Sequence, residues 1–91
     1  MSLKENIHIE ATNILIKHYK KLDPILKNQV KEALIILQDN PLHPSLGNKK
    51  ITGHKNVYEI RISRNFRITY SKYGNTLMLR KVGKHDIISN P

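Results

Sequence analysis

The chain has no cysteine and no tryptophan, a single phenylalanine, and no long uninterrupted apolar run. Without cysteine it has no disulfide framework and no thiolate metal site. Without a run of about 18 apolar residues it has no membrane-spanning helix, and its first residues show neither the apolar core nor the cleavage site of a secretory leader. These absences lead us to expect a cytoplasmic protein with no membrane association. No HExxH, no Cys/His ligand spacing, no glycine-rich phosphate loop and no GxSxG occurs, so we expect neither a metal nor another cofactor. With so few aromatics, isoleucine and leucine must fill the core of a single small domain spanning residues 1–91.

Acidic residues are scarce in one half only. Residues 1–48 carry six basic and five acidic side chains, whereas residues 49–91 carry ten basic and two acidic ones. Between Lys49 and His85 the one carboxylate is Glu59. The net charge of +9 therefore belongs almost wholly to the second half. A basic face of this kind attracts a polyanion.

The apolar periodicity changes along the chain. Residues 6–10 alternate and predict a short strand. Residues 11–21 predict a helix. Asp23-Pro24 is an N-cap carboxylate followed by proline at the first helical position, and it starts a second helix that runs to about Gln38. Leu26, Val30, Ala33, Leu34 and Leu37 line one side of that helix. Asn40 and Pro41 stop it, and residues 41–56 predict a loop. Residues 57–63, 66–70 and 76–82 then predict three strands joined by hairpins at Arg64-Asn65 and Lys72–Asn75. The tail from Gly83 on is expected to be irregular. The fold class is α+β, with an N-terminal strand and a two-helix hairpin packed on a small antiparallel sheet.

Strand alternation puts Tyr58, Ile60, Ile62, Phe66, Ile68 and Tyr70 on one face, and Arg61 and Arg67 on the other. Two guanidinium groups held close together repel, and a phosphate bridging them removes that cost. Lys84 and Arg80 on the next strand add charge. His85, in the tail, can exchange a proton near neutral pH, although a lone tail histidine is more often a plain surface residue. Glu59 reads as the counter-ion of the arginines, with general base as its alternative role. Lys49, Lys50, His54, Arg64 and Arg80 border the basic face and are candidates for substrate contacts.

The ordered set K-x-x-G at Lys50–Gly53, then YEIRI, FRITY and VGKHD, preceded by LDPILKNQVKEALIILQDNP, resembles the RelE/ParE superfamily, the toxins of type II toxin–antitoxin systems. The resemblance covers nearly the whole chain. It implies a metal-independent endoribonuclease that cuts messenger RNA on the ribosome. It also implies a cognate acidic antitoxin, and contact with operator DNA only through that antitoxin. The catalytic set it implies is Arg61, Arg67, His85 and Lys84. RelE-like members carry a lysine where Glu59 stands, and a tyrosine in the region that here reads Ile87, Ile88, Ser89; the missing tyrosine shifts weight to His85. Two other functions fit the same sequence: a ParE-like inhibitor of DNA gyrase, and a basic RNA-binding module without catalysis. Mapping of RNA ends after expression separates the nuclease from the gyrase inhibitor, which leaves transcripts intact and stalls replication; a binding module leaves RNA intact in both purified and ribosome-loaded assays.

Overall fold

The structure, a computed structural model, describes residues 6–91; residues 1–5 of the expected domain lie outside the described residues. Its elements are β1 (His8–Ala11), α1 (Asn13–Lys20), α2 (Pro24–Asp39), a 3-10 turn (Pro44–Leu46), β2 (Lys49–Lys50), β3 (Val57–Arg61), β4 (Phe66–Tyr73), β5 (Thr76–Lys84) and a second 3-10 turn (His85–Ser89). Five strands form one sheet in the order β1-β5-β4-β3-β2. No helix among the described residues is long and apolar enough to cross a membrane.

Local chemistry sets the helix ends. Thr12 Oγ1 accepts from the Leu15 amide at 3.1 Å, and the same hydroxyl donates to the Arg80 carbonyl at 3.0 Å, tying the start of α1 to β5. Asp23 caps α2 by accepting from the Leu26 amide at 2.9 Å. Leu15 of α1 and Val30, Ala33 and Leu37 of α2 join Ile60, Ile68, Leu79 and Val82 of the sheet in one core. This is the stripe expected of the second helix, now seated on the apolar face of the strands.

The sheet is mixed rather than purely antiparallel. β1 runs parallel to β5, from His8 opposite Thr76 to Ala11 opposite Leu79, while the other pairings are antiparallel. α1 and α2 carry the chain from β1 to β2 at the far edge of the sheet, and three successive antiparallel pairings then bring it back to β5, which runs beside β1 in the same direction. β2 lies inside the expected loop and is only two residues long, too short for alternation to reveal. β4 runs three residues beyond Tyr70, so the second hairpin closes tightly: Tyr73 pairs with Thr76, and Gly74 sits at φ +59°. A left-handed turn residue of this kind fits the twist of the flanking strands.

A bulge in β5 decides which side chains reach each face. The register passes from Thr69 opposite Lys81 to Tyr70 opposite Leu79, leaving Arg80 as the extra residue. Leu77, Leu79 and Val82 can therefore all enter the core although their spacing is not strictly two. Arg80 and Lys81 are both sent to the opposite face.

Candidate functional site

The face of the sheet away from the helices carries Glu59 and Arg61 on β3, Arg67, Thr69 and Ser71 on β4, and Arg80, Lys81 and Gly83 on β5. Two rows run across it. Arg61 pairs with Arg67, which pairs with Gly83; Glu59 pairs with Thr69, which pairs with Lys81. Arg61 and Arg67 are thus direct cross-strand neighbours, a spacing that brings Cβ atoms to about 5 Å.

The two arginines are held differently. Arg67 is half-buried. Its Nη1 donates to the carbonyls of Ser63 at 2.9 Å, Phe66 at 3.0 Å and Arg64 at 3.3 Å, so the β3–β4 hairpin wraps around the guanidinium. Its Nε stands 3.8 Å from the Glu59 carboxylate, itself only 5% exposed. Glu59 therefore stands as the counter-ion of Arg67. Arg61 is exposed and makes no hydrogen bond or ion pair with the described residues. One guanidinium is preorganised and the other is free to close on a ligand.

The tail is ordered, not irregular. Its 3-10 turn begins at His85, and the chain folds back across the open face of β4 and β5. Arg80 Nε donates to the Pro91 carbonyl at 3.1 Å, and Arg80 Nη1 donates to Ser71 Oγ at 2.9 Å. Thr69 Oγ1 donates to the same Pro91 oxygen at 3.3 Å, and Lys81 Nζ donates to the Asn90 carbonyl at 2.7 Å. Ile87 crosses above Gly83: a Cβ built on Gly83 would lie 2.8 Å from Ile87 Cγ2. The tail thus passes directly over Gly83, the residue paired with Arg67.

His85 is exposed and lies two residues beyond Gly83. Two Cα steps of 3.8 Å keep its backbone within about 7.6 Å of Gly83, the residue in register with Arg67. The backbone of His85 therefore lies near the end of the sheet at which Arg61 pairs with Arg67. The other sequence candidates are placed otherwise. Lys84 is in register with Phe66, and alternation sends it to the side opposite Arg67. Arg80 is occupied in anchoring the tail. Arg64 is exposed at the tip of the hairpin that cradles Arg67, and His54 is exposed in the turn after β2. Lys49 is opposite Glu59, whereas Lys50 is opposite Tyr58 and so shares the helix side of the sheet. His43, a second loop histidine, stabilises the chain locally: its Nδ1 accepts from the Ser45 amide at 3.1 Å.

Sequence reasoning missed Thr69, Ser71 and Gly83, the residues that dock the tail. A glycine directly before a charged tail was the available signal, since close approach of another segment is one use of a strand glycine. Among the described residues no group of three or more His, Asp or Glu is placed to hold a metal ion.

No family model matches the chain, and no curated protein matches it. Solved structures do. A chain of the RelB–RelE antitoxin–toxin complex from Methanococcus jannaschii is 26% identical, with a TM-score of 0.73 over 89% of this chain and 95% of that one. YafQ from Escherichia coli BL21(DE3) is 16% identical, with a TM-score of 0.74 over 90% of this chain and 97% of that one. A YoeB from Staphylococcus aureus is 19% identical, with a TM-score of 0.74 over 89% and 99%.

Proposed function

Starting from a chain with the fold of the RelE-superfamily toxins, we propose that it is the toxin of a type II toxin–antitoxin pair and a metal-independent endoribonuclease acting on messenger RNA at the ribosome in the cytoplasm. The observation that carries this reading is the row in which Arg61 pairs directly with Arg67, with His85 leaving the next strand at the same end.

RNA brings its own nucleophile, the ribose 2′-hydroxyl. A base takes the 2′-hydroxyl proton as O2′ attacks the adjacent phosphorus. The P–O5′ bond breaks, the leaving O5′ takes up a proton, and the products end in a 2′,3′-cyclic phosphate and a 5′-hydroxyl. Negative charge grows on the non-bridging oxygens in between. Arg67, held by three carbonyls and Glu59, is a preorganised donor for that charge, and Arg61 is the mobile second donor. His85 is the candidate for one proton transfer. The second proton carrier is Lys84, should its flexible stem reach round the end of the sheet, or a group that the ribosome positions. Lys49, Arg64 and His54 border the path of the strand and would neutralise flanking phosphates.

The M. jannaschii structure is an antitoxin–toxin complex. By likeness, the partner here is an acidic antitoxin segment that covers the basic face and orders as it binds. Operator DNA would be contacted through that partner.

Induced expression in a bacterium, with RNA 5′ ends mapped, tests the proposal. Cuts inside translated frames, lost in Arg67→Ala, are the expected result. Intact transcripts with stalled replication would overturn it in favour of a gyrase inhibitor. Intact RNA in both purified and ribosome-loaded assays would leave a binding module.

A further inference from the structure

The described residues do not cover the helix side of the sheet along its whole length. Past the end of α2, the face of β3–β5 near the β4–β5 hairpin is left as a bowl of about 450 Å³. Tyr58, Tyr70 and Leu77 form its floor, Ile7, Pro41 and Leu42 stand along one side, and Lys49, Lys50 and Lys72 stand at the rim. Lys50 is paired with Tyr58, and Lys72 lies two residues beyond Tyr70, so both share the tyrosine face. Among the described residues no carboxylate lines the bowl.

The bowl is preformed. Tyr58 and Tyr70 stack with ring centroids 5.4 Å apart and an interplanar angle of 15°. The Tyr70 hydroxyl donates to Asn48 Oδ1 at 2.8 Å, and Asn48 Nδ2 donates to the Pro41 carbonyl at 3.0 Å. That chain of bonds fixes the 41–48 loop against the sheet and holds the wall in place without a ligand. Lys50 and Lys72 make no side-chain hydrogen bond or ion pair with the described residues, so both ammonium groups are available.

We propose that this bowl binds a nucleotide, with the base against the half-buried Tyr58 ring, which is backed by the buried Tyr70, and the phosphate between Lys50 and Lys72. The volume lies within the range of small-molecule sites, about 300–1,000 Å³. An aromatic ring beside two lysines is what a base and its phosphate require. The walls come from five separate segments that close around the floor, which suits a compact group and not a peptide running through. The nucleotide can be free or can belong to an RNA strand, and the experiment separates the two. The site lies on the side of the sheet opposite Arg67 and does not depend on the cleavage proposal.

The test is a titration of the protein with AMP, adenosine and a 2′-O-methylated tetra-adenylate, followed by NMR of the tyrosine rings and by equilibrium dialysis. We expect AMP to shift the Tyr58 and Tyr70 resonances and to bind at least about tenfold more tightly than adenosine. Lys50→Gln with Lys72→Gln removes that preference; both residues are exposed, so the fold is kept. Tyr58→Leu weakens AMP about fivefold or more. Arg67→Ala leaves AMP binding unchanged, which separates this site from the arginine row. Binding of the tetranucleotide but not AMP assigns the bowl to an RNA strand and still supports the proposal. Failure of both to bind, capture of an acidic peptide instead, or loss of AMP binding in Arg67→Ala with none in the lysine variant overturns it.

Discussion

On the helix side of the sheet, Ile60, Ile68 and Leu79 are shut away from water by apolar side chains of α1 and α2. On the other side Glu59, Thr69 and Ser71 are equally buried, at 5%, 0% and 2% exposure, but beneath polar groups. The first face is closed by area and the second by specific bonds: Arg67 to Glu59, Arg80 to Ser71, Thr69 to the Pro91 carbonyl. Among the described residues no buried side-chain polar atom is left without a partner. Burial of apolar area is non-directional and forgiving of small shifts, whereas a network of buried polar groups specifies one arrangement and penalises any missing member. A face of the second kind can hold charged groups in fixed positions, which is what an anion site needs. The same network makes the cover over β4 and β5 removable, because a 3-10 turn held by a few hydrogen bonds opens more easily than a packed helix.

Substitutions can break the contrast, starting with the apolar side. Leu37 is wholly buried in the core, and Leu37→Ala should cost about 2–5 kcal/mol, read as a drop in the urea midpoint. A fall under about 1 kcal/mol would mean that α2 is not the element that closes this face.

Arg67→Ala should lower cleavage about a hundredfold or more. It also strands the buried Glu59 carboxylate, so stability falls with activity. The double variant Arg67→Ala/Glu59→Gln separates the two effects: the denaturation midpoint recovers and cleavage does not. Recovery of both would show that the guanidinium only neutralises Glu59.

A smaller effect is expected at Gly83. Gly83→Ala pushes a Cβ against Ile87, lifts the tail, and should cost about 1–3 kcal/mol with a loss of activity through displaced His85. Adding Ile87→Ala restores room and should recover part of the loss. No recovery would place the fault elsewhere than this contact.

The smallest effect concerns Tyr70, whose hydroxyl burial holds above the usual 10.0, against the Asn48 hydrogen bond and with a small addition from Tyr58. A group with a raised folded-state pKa contributes stability that is intact below pH 10.0 and lost as pH climbs through the higher folded value. Tyr70→Phe should remove that alkaline component and cost about 1 kcal/mol at neutral pH through the orphaned Asn48. Identical stability–pH curves for the two proteins above pH 10 would discard the assignment.

Amino-acid order alone determined the helices and the long strands, because capping and periodicity are local. Asp23-Pro24 starts α2, Asn40-Pro41 ends it, and the alternation from Tyr58 to Tyr70 sorts Arg61 and Arg67 away from the core. It also determined the imbalance of charge between the halves, since that is only a count. The parallel pairing of β1 with β5, the two-residue β2 and the bulge at Arg80 were decided by the tertiary structure. Each depends on partners distant along the chain, and no local period reports them. The same holds for the site. That two arginines share a face could be read from alternation, but not that Arg67 is clasped by a hairpin, that Arg80 is spent on the tail, or that Lys84 turns away. Those outcomes depend on how a folded tail passes over a sheet, where a glycine's missing side chain and a few carbonyl oxygens settle which charges are held and which remain free.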